Sequence, residues 1–338
     1  CPSRQSSLQE GTTKSMKSAA VTKQNSQVLP PGSRLWTPSN IGGGDLKLWM
    51  RPEGIRPHNG ESTSTGDLRL NRWFDSSTFS SRMGPFGEGT VFPSTIPMMK
   101  ANLVSAGNGT TFGSLNSKKF DTYRASSGGG GSIPDAAAPQ IDPGTGPFTL
   151  LTVFRIARQD SASVPYDNNS MIIMSDGTGA IASNYILQVD VNSNPSSSPS
   201  FVKIKSVMGS DTLTVTLEEK SGLSQIFDNE EFLVAYERDG GASGFFYNNG
   251  SFIGSQVGQA ADMSDDKPRN IHMKISAEVG GNFAANSDGS SHDIAEIILI
   301  NKRDTTTRIL CEGYLAHKYG RQNKLPSDHK YRHRPPRF

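Results

Sequence analysis

The chain has little of what marks most enzymes and membrane proteins. Its 338 residues include two cysteines, Cys1 and Cys311, too few for a disulfide framework. No apolar run approaches 18 residues, and Ile297–Ile300 is typical of the longest, so no membrane-spanning helix is expected. Helical periodicity is nearly absent before residue 305, and no fixed-period repeat points to a propeller or solenoid. The six histidines (His58, His272, His292, His317, His329, His333) show no metal-ligand spacing such as H-E-x-x-H. No G-x-S-x-G elbow is present, and Gly128 to Gly131 lacks the Lys-Ser/Thr and helix of a phosphate loop.

What is present is turn chemistry and charge segregation. With 35 glycines and 20 prolines the chain reads as turn-rich and all-β, and 34% apolar residues argue against wholesale disorder. The net charge of +2 conceals +4 over residues 1–34, +6 over residues 317–338 and −8 between them. An acidic body with two basic ends does not fit a nucleic-acid-binding domain; it fits a subunit whose ends lie on acidic neighbours. Cys1 in place of Met is expected to mark a processed or truncated chain, and a Cys followed by a polar tether also suits a mature bacterial lipoprotein.

Residues 1–34 are polar and aperiodic, an extended N-terminal arm that is ordered only against another surface. A single domain is expected over 35–320, followed by a basic tail over 321–338. A strand is expected at Leu46–Met50, with Leu46, Leu48 and Met50 on one face, and Arg72-Trp73-Phe74-Asp75 follows a turn-rich stretch. Residues 75–147 read mostly as loop, with a Gly/Ser/Pro-rich stretch over 121–147. Further short strands are expected at Phe148–Ile156, Met171–Ser175, Tyr185–Val191, Phe201–Val207, Thr212–Leu217, Glu231–Glu237, Gly244–Tyr247, Ser251–Ser255, Ile271–Ser276 and Ile294–Ile300. Asn248-Asn249-Gly250 marks a hairpin.

Thr305–Gly320 is the one helix, with a Thr N-cap and Gly320 closing it. Leu310, Cys311, Tyr314 and Leu315 form one apolar face; Ile309, Gly313 and Ala316 form a second. Two apolar faces predict two covers, the sheet and a returning Leu325–Tyr331 segment. The economical architecture is a two-sheet jelly-roll sandwich with one late α-helix and extended N- and C-terminal arms.

The ending Glu312-Gly313-Tyr314-Leu315-Ala316-His317-Lys318-Tyr319-Gly320, then Leu325-Pro326-Ser327-Asp328-His329, follows a last strand containing Ala295-Glu296-Ile297-Ile298. This resembles the C-terminal signature of concanavalin A-like (laminin G-like) jelly-roll domains found in bacteriophage virion proteins and bacterial surface proteins. Leu46–Met50 and Arg72–Asp75 resemble the opening segments of that group. The chain departs from it at Lys330, where proline is usual, and in the longer stretch 126–147. The resemblance implies a fold and a setting: a virion (a capsid-decoration or tail component), or alternatively an extracellular or bacterial cell surface. It implies signature roles for Glu296, Glu312, Tyr314, Leu315, His317, Leu325, Pro326 and His329, and it supplies no enzyme mechanism.

Candidate chemistry is sparse. Paired acids for glycan hydrolysis need spacing two on one strand, whereas Asp293 and Glu296 are spaced three and should face opposite ways. Glu296 and Glu312 are therefore expected to be structural hydrogen-bond acceptors. Cys311 is expected to be a buried small hydrophobe and His317 to bond the returning tail. Oxygen-rich loops at Tyr166-Asp167-Asn168-Asn169 and Asn286-Ser287-Asp288-Gly289, with Asn248 and Asn249, are candidates for sugar hydroxyls or calcium, though such runs are usually turns. Trp36, Trp49 and Trp73 could stack on sugars but read as core. No cofactor is expected. The tail His329–Phe338 reads as an extended docking peptide for other virion subunits or copies of the chain. Two functions follow: a non-enzymatic structural protein of a phage-like virion assembled through residues 1–34 and 321–338, or a carbohydrate-binding recognition or adhesion module.

Overall fold

The computed structural model describes residues 32, 34–62, 68–78, 82–85, 98–105, 111–116, 120–122, 144–156, 166–175, 185–192, 200–208, 211–221, 227, 230–259, 272–275 and 292–338. Side chains are placed at 32, 34–54, 74–78, 144–155, 185, 187–189, 201–208, 211–221, 227, 230–259 and 294–338. Expectations for residues 1–31, Gly128 to Gly131, Asn286 to Gly289 and the Trp73 side chain lie outside these.

The described strands are β1 (Leu46–Ser62), β2 (Leu68–Asp75), β3 (Arg82–Pro85), β4 (Met98–Ser105), β5 (Thr111–Asn116), β6 (Phe120–Thr122), β7 (Phe148–Ile156) and β8 (Tyr166–Ser175). They continue with β9 (Tyr185–Asn192), β10 (Ser200–Met208), β11 (Asp211–Lys220), β12 (Glu231–Arg238), β13 (Ser243–Asn248), β14 (Ser251–Val257), β15 (His272–Ile275) and β16 (His292–Ile300). The stretch read as loop over 75–147 thus holds four strands, β3 to β6. Segments such as Thr111–Asn116 (TFGSLN) lack alternation in their own sequence and are recruited by neighbours: β5 pairs both β4 and β16. The Gly/Ser/Pro-rich stretch begins within β6, not after it.

Every strand pairing is antiparallel, and the two sheets of the sandwich connect through β2 to β6 into one hydrogen-bonded path. One sheet ends β1-β16-β7-β12-β13-β14; the other ends β8-β9-β10-β11. Between them lies a core of Leu48, Met50, Phe148, Phe154, Val234, Tyr236, Phe246, Ile297 and Leu299 against Tyr185, Leu187, Val202, Ile204, Leu213 and Val215. A second core occupies the outer face of the first sheet: Trp36, Leu46, Trp49, Leu151, Leu233, Ala235 and Ile298 under Cys311, Leu315, Ala316, Tyr319 and Leu325. Strand β12 is consequently buried on both faces.

Two bulges set which side chains reach which core. Leu46 pairs Ile300 and Leu48 pairs Leu299, so the ladder shifts by one at Lys47. Leu46 therefore joins the outer core and not the face of Leu48 and Met50, correcting the simple alternation. In β16, Ile294 pairs Phe154 and Glu296 pairs Val153, leaving Ala295 as the extra residue. Without it, alternation from Ile294 would aim the Glu296 carboxylate into the sandwich core. The bulge puts Ala295 and Glu296 together on the helix side, so simple alternation does not hold through this strand; the Asp293 side chain lies outside those described.

The helix α1 runs Thr305–Lys318. Its N-cap is Asp304 and not a threonine: the Asp304 carboxylate accepts from Thr306 N at 3.1 Å and Thr307 N at 3.2 Å, and from Thr307 Oγ1. These bonds hold the Asp304 carboxyl below its ordinary pKa, the Thr307 hydroxyl contributing most. Gly320, at φ +67°, stops the helix as expected. The hairpin between β13 and β14 turns on Asn249 (φ +49°) and Gly250 (φ +82°), the paired positive φ of a type I′ turn.

Candidate functional site

The signature residues converge on the helix-side face, where three carboxylates are wholly buried. Glu296 accepts from Trp49 Nε1 at 2.6 Å, Lys318 Nζ at 2.7 Å and the Tyr319 hydroxyl at 2.7 Å. Lys318 also bridges to Glu53 at 3.1 Å, and Tyr314 sets its ring edge-on to Trp49 at 6.1 Å. Burial, then the Glu296 charge, raises the pKa of both the Tyr314 and Tyr319 hydroxyls. This cluster ties β1 and β16 to the last helical turn.

The second cluster was legible in the sequence at Glu312 and His329 but not at Arg308, Glu237 or Arg303. Glu312 accepts from Arg308 NH1 at 2.6 Å and lies 3.3 Å from His329 Nε2. Arg308 also faces Glu237 on β12 at 3.2 Å and lies over the Tyr247 ring at 3.7 Å. Arg303 closes the row, with Nε 3.2 Å from Glu237 and its guanidinium 4.0 Å over Phe245. A glutamate at the end of a strand otherwise apolar on both faces was the available signal, because such a charge is buried only with a partner.

The remaining signature residues fasten the returning segment. His317 Nε2 lies 2.7 Å from the Tyr331 carbonyl, as its position one turn from Gly313 suggested. Leu315 and Leu325 are buried in the outer core. A Cβ on Gly250 would meet His329, Leu325 and Pro326 within 3.1–3.4 Å, so the hairpin tip sits directly on that segment. Gly313 lets Tyr331 lie flat on the helix: a Cβ there would come 2.5 Å from Tyr331 Cβ. Gly313→Ala should therefore cost about 1–3 kcal/mol through overpacking, despite the ~1 kcal/mol that alanine gains in helix propensity. Thermal unfolding of the variant checks this, with a lowered midpoint expected.

The tail is not free. Gly32 N donates to Phe338 O at 2.8 Å, Trp36 N to Pro336 O at 3.0 Å and Phe338 N to Arg34 O at 3.1 Å. The expected docking peptide thus lies along its own domain, where residues 32–36 satisfy backbone groups of Pro336 and Phe338. Pro335 and Pro336 keep it extended.

Among the expected glycan contacts, Asn248 Nδ2 donates to Leu217 O at 3.3 Å and Asn249 Oδ1 accepts from Arg321 at 3.1 Å. Both are engaged in joining the hairpin to β11 and to the post-helix segment. Arg321 itself pairs with Glu231 at 3.3 Å; burial lowers its pKa and raises that of Glu231. Tyr166, Asp167 and Asn168 do not form a loop but open β8. A register shift between Tyr166 and Asn169 marks a bulge there, opposite Val191 to Val189 of β9. Cys311 is buried and free, and burial raises its thiol pKa well above the usual value. Among the described residues no group of three or more His, Cys, Asp or Glu could hold a metal ion, and no helix is long and apolar enough to cross a membrane.

The outer face of the second sheet is a different surface. On β10, Val202, Ile204, Ser206 and Met208 point into the sandwich, while Phe201, Lys203, Lys205 and Val207 point outward and are partly exposed. On β11, Thr212, Thr214 and Thr216 are exposed, and they pair with Val207, Lys205 and Lys203 respectively. Lys203 Nζ lies 4.1 Å over the Phe201 ring. The result is three cross-strand rows, two of them Lys–Thr, with an aromatic ring at one end. The β8 bulge lies two strands away, toward the same end of the sheet as Phe201.

Comparison with protein-family models finds no match, nor does comparison with curated proteins. Solved structures do match in coarse arrangement. The binding domain of botulinum neurotoxin serotype G aligns at TM-score 0.43 and 10% identity, over 78% of this chain and 49% of that one. The binding domain of botulinum neurotoxin DC, in complex with SialylT, aligns at TM-score 0.40 and 12% identity, over 78% and 50%. The CBM40 of the Ruminococcus gnavus IT-sialidase, bound to α2,3-sialyllactose, aligns at TM-score 0.33 and 11% identity, over 49% and 81%. The chain spans about half the length of the toxin binding domains it matches.

Proposed function

We propose that this chain is a non-catalytic carbohydrate-binding module, of a host-recognition or surface-adhesion kind, whose ligand lies on the outer face of β10 and β11. The observation that carries the reading is the contrast between the two outer faces of the sandwich. One is sealed by the helix and tail, with its buried acids engaged in structural pairs. The other carries no helix among the described residues and shows Phe201, Lys203, Lys205, Thr212, Thr214 and Thr216 outward. Threonine hydroxyls both donate and accept, as sugar hydroxyls require. The Phe201 ring offers a flat apolar surface, and the Lys203 ammonium beside it favours a sugar bearing a carboxylate.

Shallow faces bind single sugars weakly, so the test uses clustered glycans. On an array of multivalent sialylated, uronic-acid and neutral oligosaccharides, the protein should bind anionic members. Lys203→Glu with Lys205→Glu should lower that binding at least tenfold, the equivalent of about 1.4 kcal/mol. An array without hits, or hits unchanged in the variant, would overturn the assignment.

A second reading is a structural subunit of a phage-like virion. It is favoured by one observation: the ladder between residues 32–36 and the tail leaves Leu35 and Phe338 exposed beside Arg34 and Arg337, where residues 1–31 join the domain. A fixed copy number in a purified symmetric particle, alongside a blank array, would select it.

A further inference from the structure

The strand that closes the helix-side sheet has an edge without the usual protection. Among the described residues β14 pairs with β13 alone. Its sequence, SFIGSQV, holds no charge and no proline, and Phe252 and Val257 are 56% and 76% exposed. A bulge at Ile253 interrupts its start, but Gly254 to Val257 pair regularly with Phe246 to Ser243. Edge strands in soluble proteins are usually blunted by charge, proline or a cover, because their open N–H and C=O groups template further strands. The strand at the other end of the path, β11, has such protection in Asp211, Glu218, Glu219 and Lys220.

We infer that β14 is a self-association edge: a second copy of this chain adds its own β14 antiparallel across a two-fold axis, continuing the helix-side sheet through both molecules. Charge selects this occupant. An uncharged strand set against itself places no like charges opposite one another. Against β11 of another copy, Phe252 and Val257 would meet the acids at the ends of that strand. Two-fold pairing also consumes both open edges and closes, whereas β14 on β11 would leave free edges and grow into fibres. Seven residues extend about 23 Å at strand rise, a contact smaller than the ~1,200 Å² of the usual stable complex, so the dimer forms in the micromolar range. The inference stands without the glycan reading, though a dimer would supply the second site that weak sugar binding needs.

Sedimentation velocity on the full chain, from about 1 µM to about 200 µM to bracket a micromolar Kd, should show a monomer converting to a dimer. Ser255→Lys with Val257→Lys should remain monomeric throughout, while Thr214→Lys on β11 should dimerise like the parent protein. Amide exchange of Ser251–Val257 in the unmodified protein should slow as concentration rises, which tests the edge independently of how the variants fold. A parent that stays monomeric, a dimer untouched by the double lysine variant, a dimer lost in Thr214→Lys, or exchange at β14 independent of concentration would each overturn the inference.

Discussion

Glu296→Ala should destabilise the protein by about 3–5 kcal/mol, the range for removing one partner of a buried ion pair. The carboxylate is wholly buried and serves Lys318, Trp49 Nε1 and the Tyr319 hydroxyl at once. Its removal leaves two neutral donors without their acceptor in a packed core. Lys318 loses its buried carboxylate partner, while its pairing with the half-exposed Glu53 is screened by solvent. Glu296→Gln should cost less, since one amide oxygen still accepts while the amide nitrogen cannot. Replacing Glu296 and Lys318 together by apolar residues of similar size should recover part of the loss. Urea unfolding of the set checks the order alanine, then glutamine, then parent. A loss below about 1 kcal/mol for alanine, the level of an exposed pair, would show that the cluster does not hold the helix to the sheet.

The second large effect is alkaline. Tyr185, Tyr236, Tyr314 and Tyr319 are all held well above their usual pKa, burial being the main cause for each. Below pH 10 both folded and unfolded chains keep these protons, so the contribution is fully present. As pH rises past the unfolded value near 10, the unfolded chain releases protons that the folded chain retains, and folding stability falls. Each such group adds a slope approaching about 1.4 kcal/mol per pH unit, and four together make the decline steep. Equilibrium unfolding at pH 9, 10, 10.5 and 11 should show it, with the last four of the eight tyrosinate equivalents appearing together with loss of structure. Tyrosinate absorbance reaching the amplitude of all eight tyrosines near pH 10 while the fold persists would contradict the burial of these four hydroxyls.

Several elements were readable from local chemistry. The Asn249-Gly250 turn, the helix closed by Gly320, and the two covered faces of that helix each rest on residues whose preferences act within a few positions. What escaped was set by partners distant in sequence. The bulges at Lys47 and Ala295 decide which core receives Leu46 and Glu296, and only the ladder with neighbouring strands reveals them. Strands β3 to β6 were missed because composition there is turn-like and pairing supplies the order. The Glu237–Arg308–Glu312 row joins β12 to a helix some seventy residues later, so no local pattern announces it. The oxygen-rich sites expected from composition fared differently. Asn248 and Asn249 make internal bonds, and Tyr166 to Asn168 begin a strand. The outer Lys–Thr rows emerge only when β10 and β11 are placed in register.

The face of β10 and β11 can be tested directly by amide exchange with and without 3′-sialyllactose at millimolar concentration, using the full chain. Ligand should slow exchange within Phe201–Leu217 and leave the helix Thr305–Lys318 unchanged. Protection confined to the helix side, or none anywhere for this and a uronic-acid oligosaccharide, would contradict the assignment of a glycan site to that face.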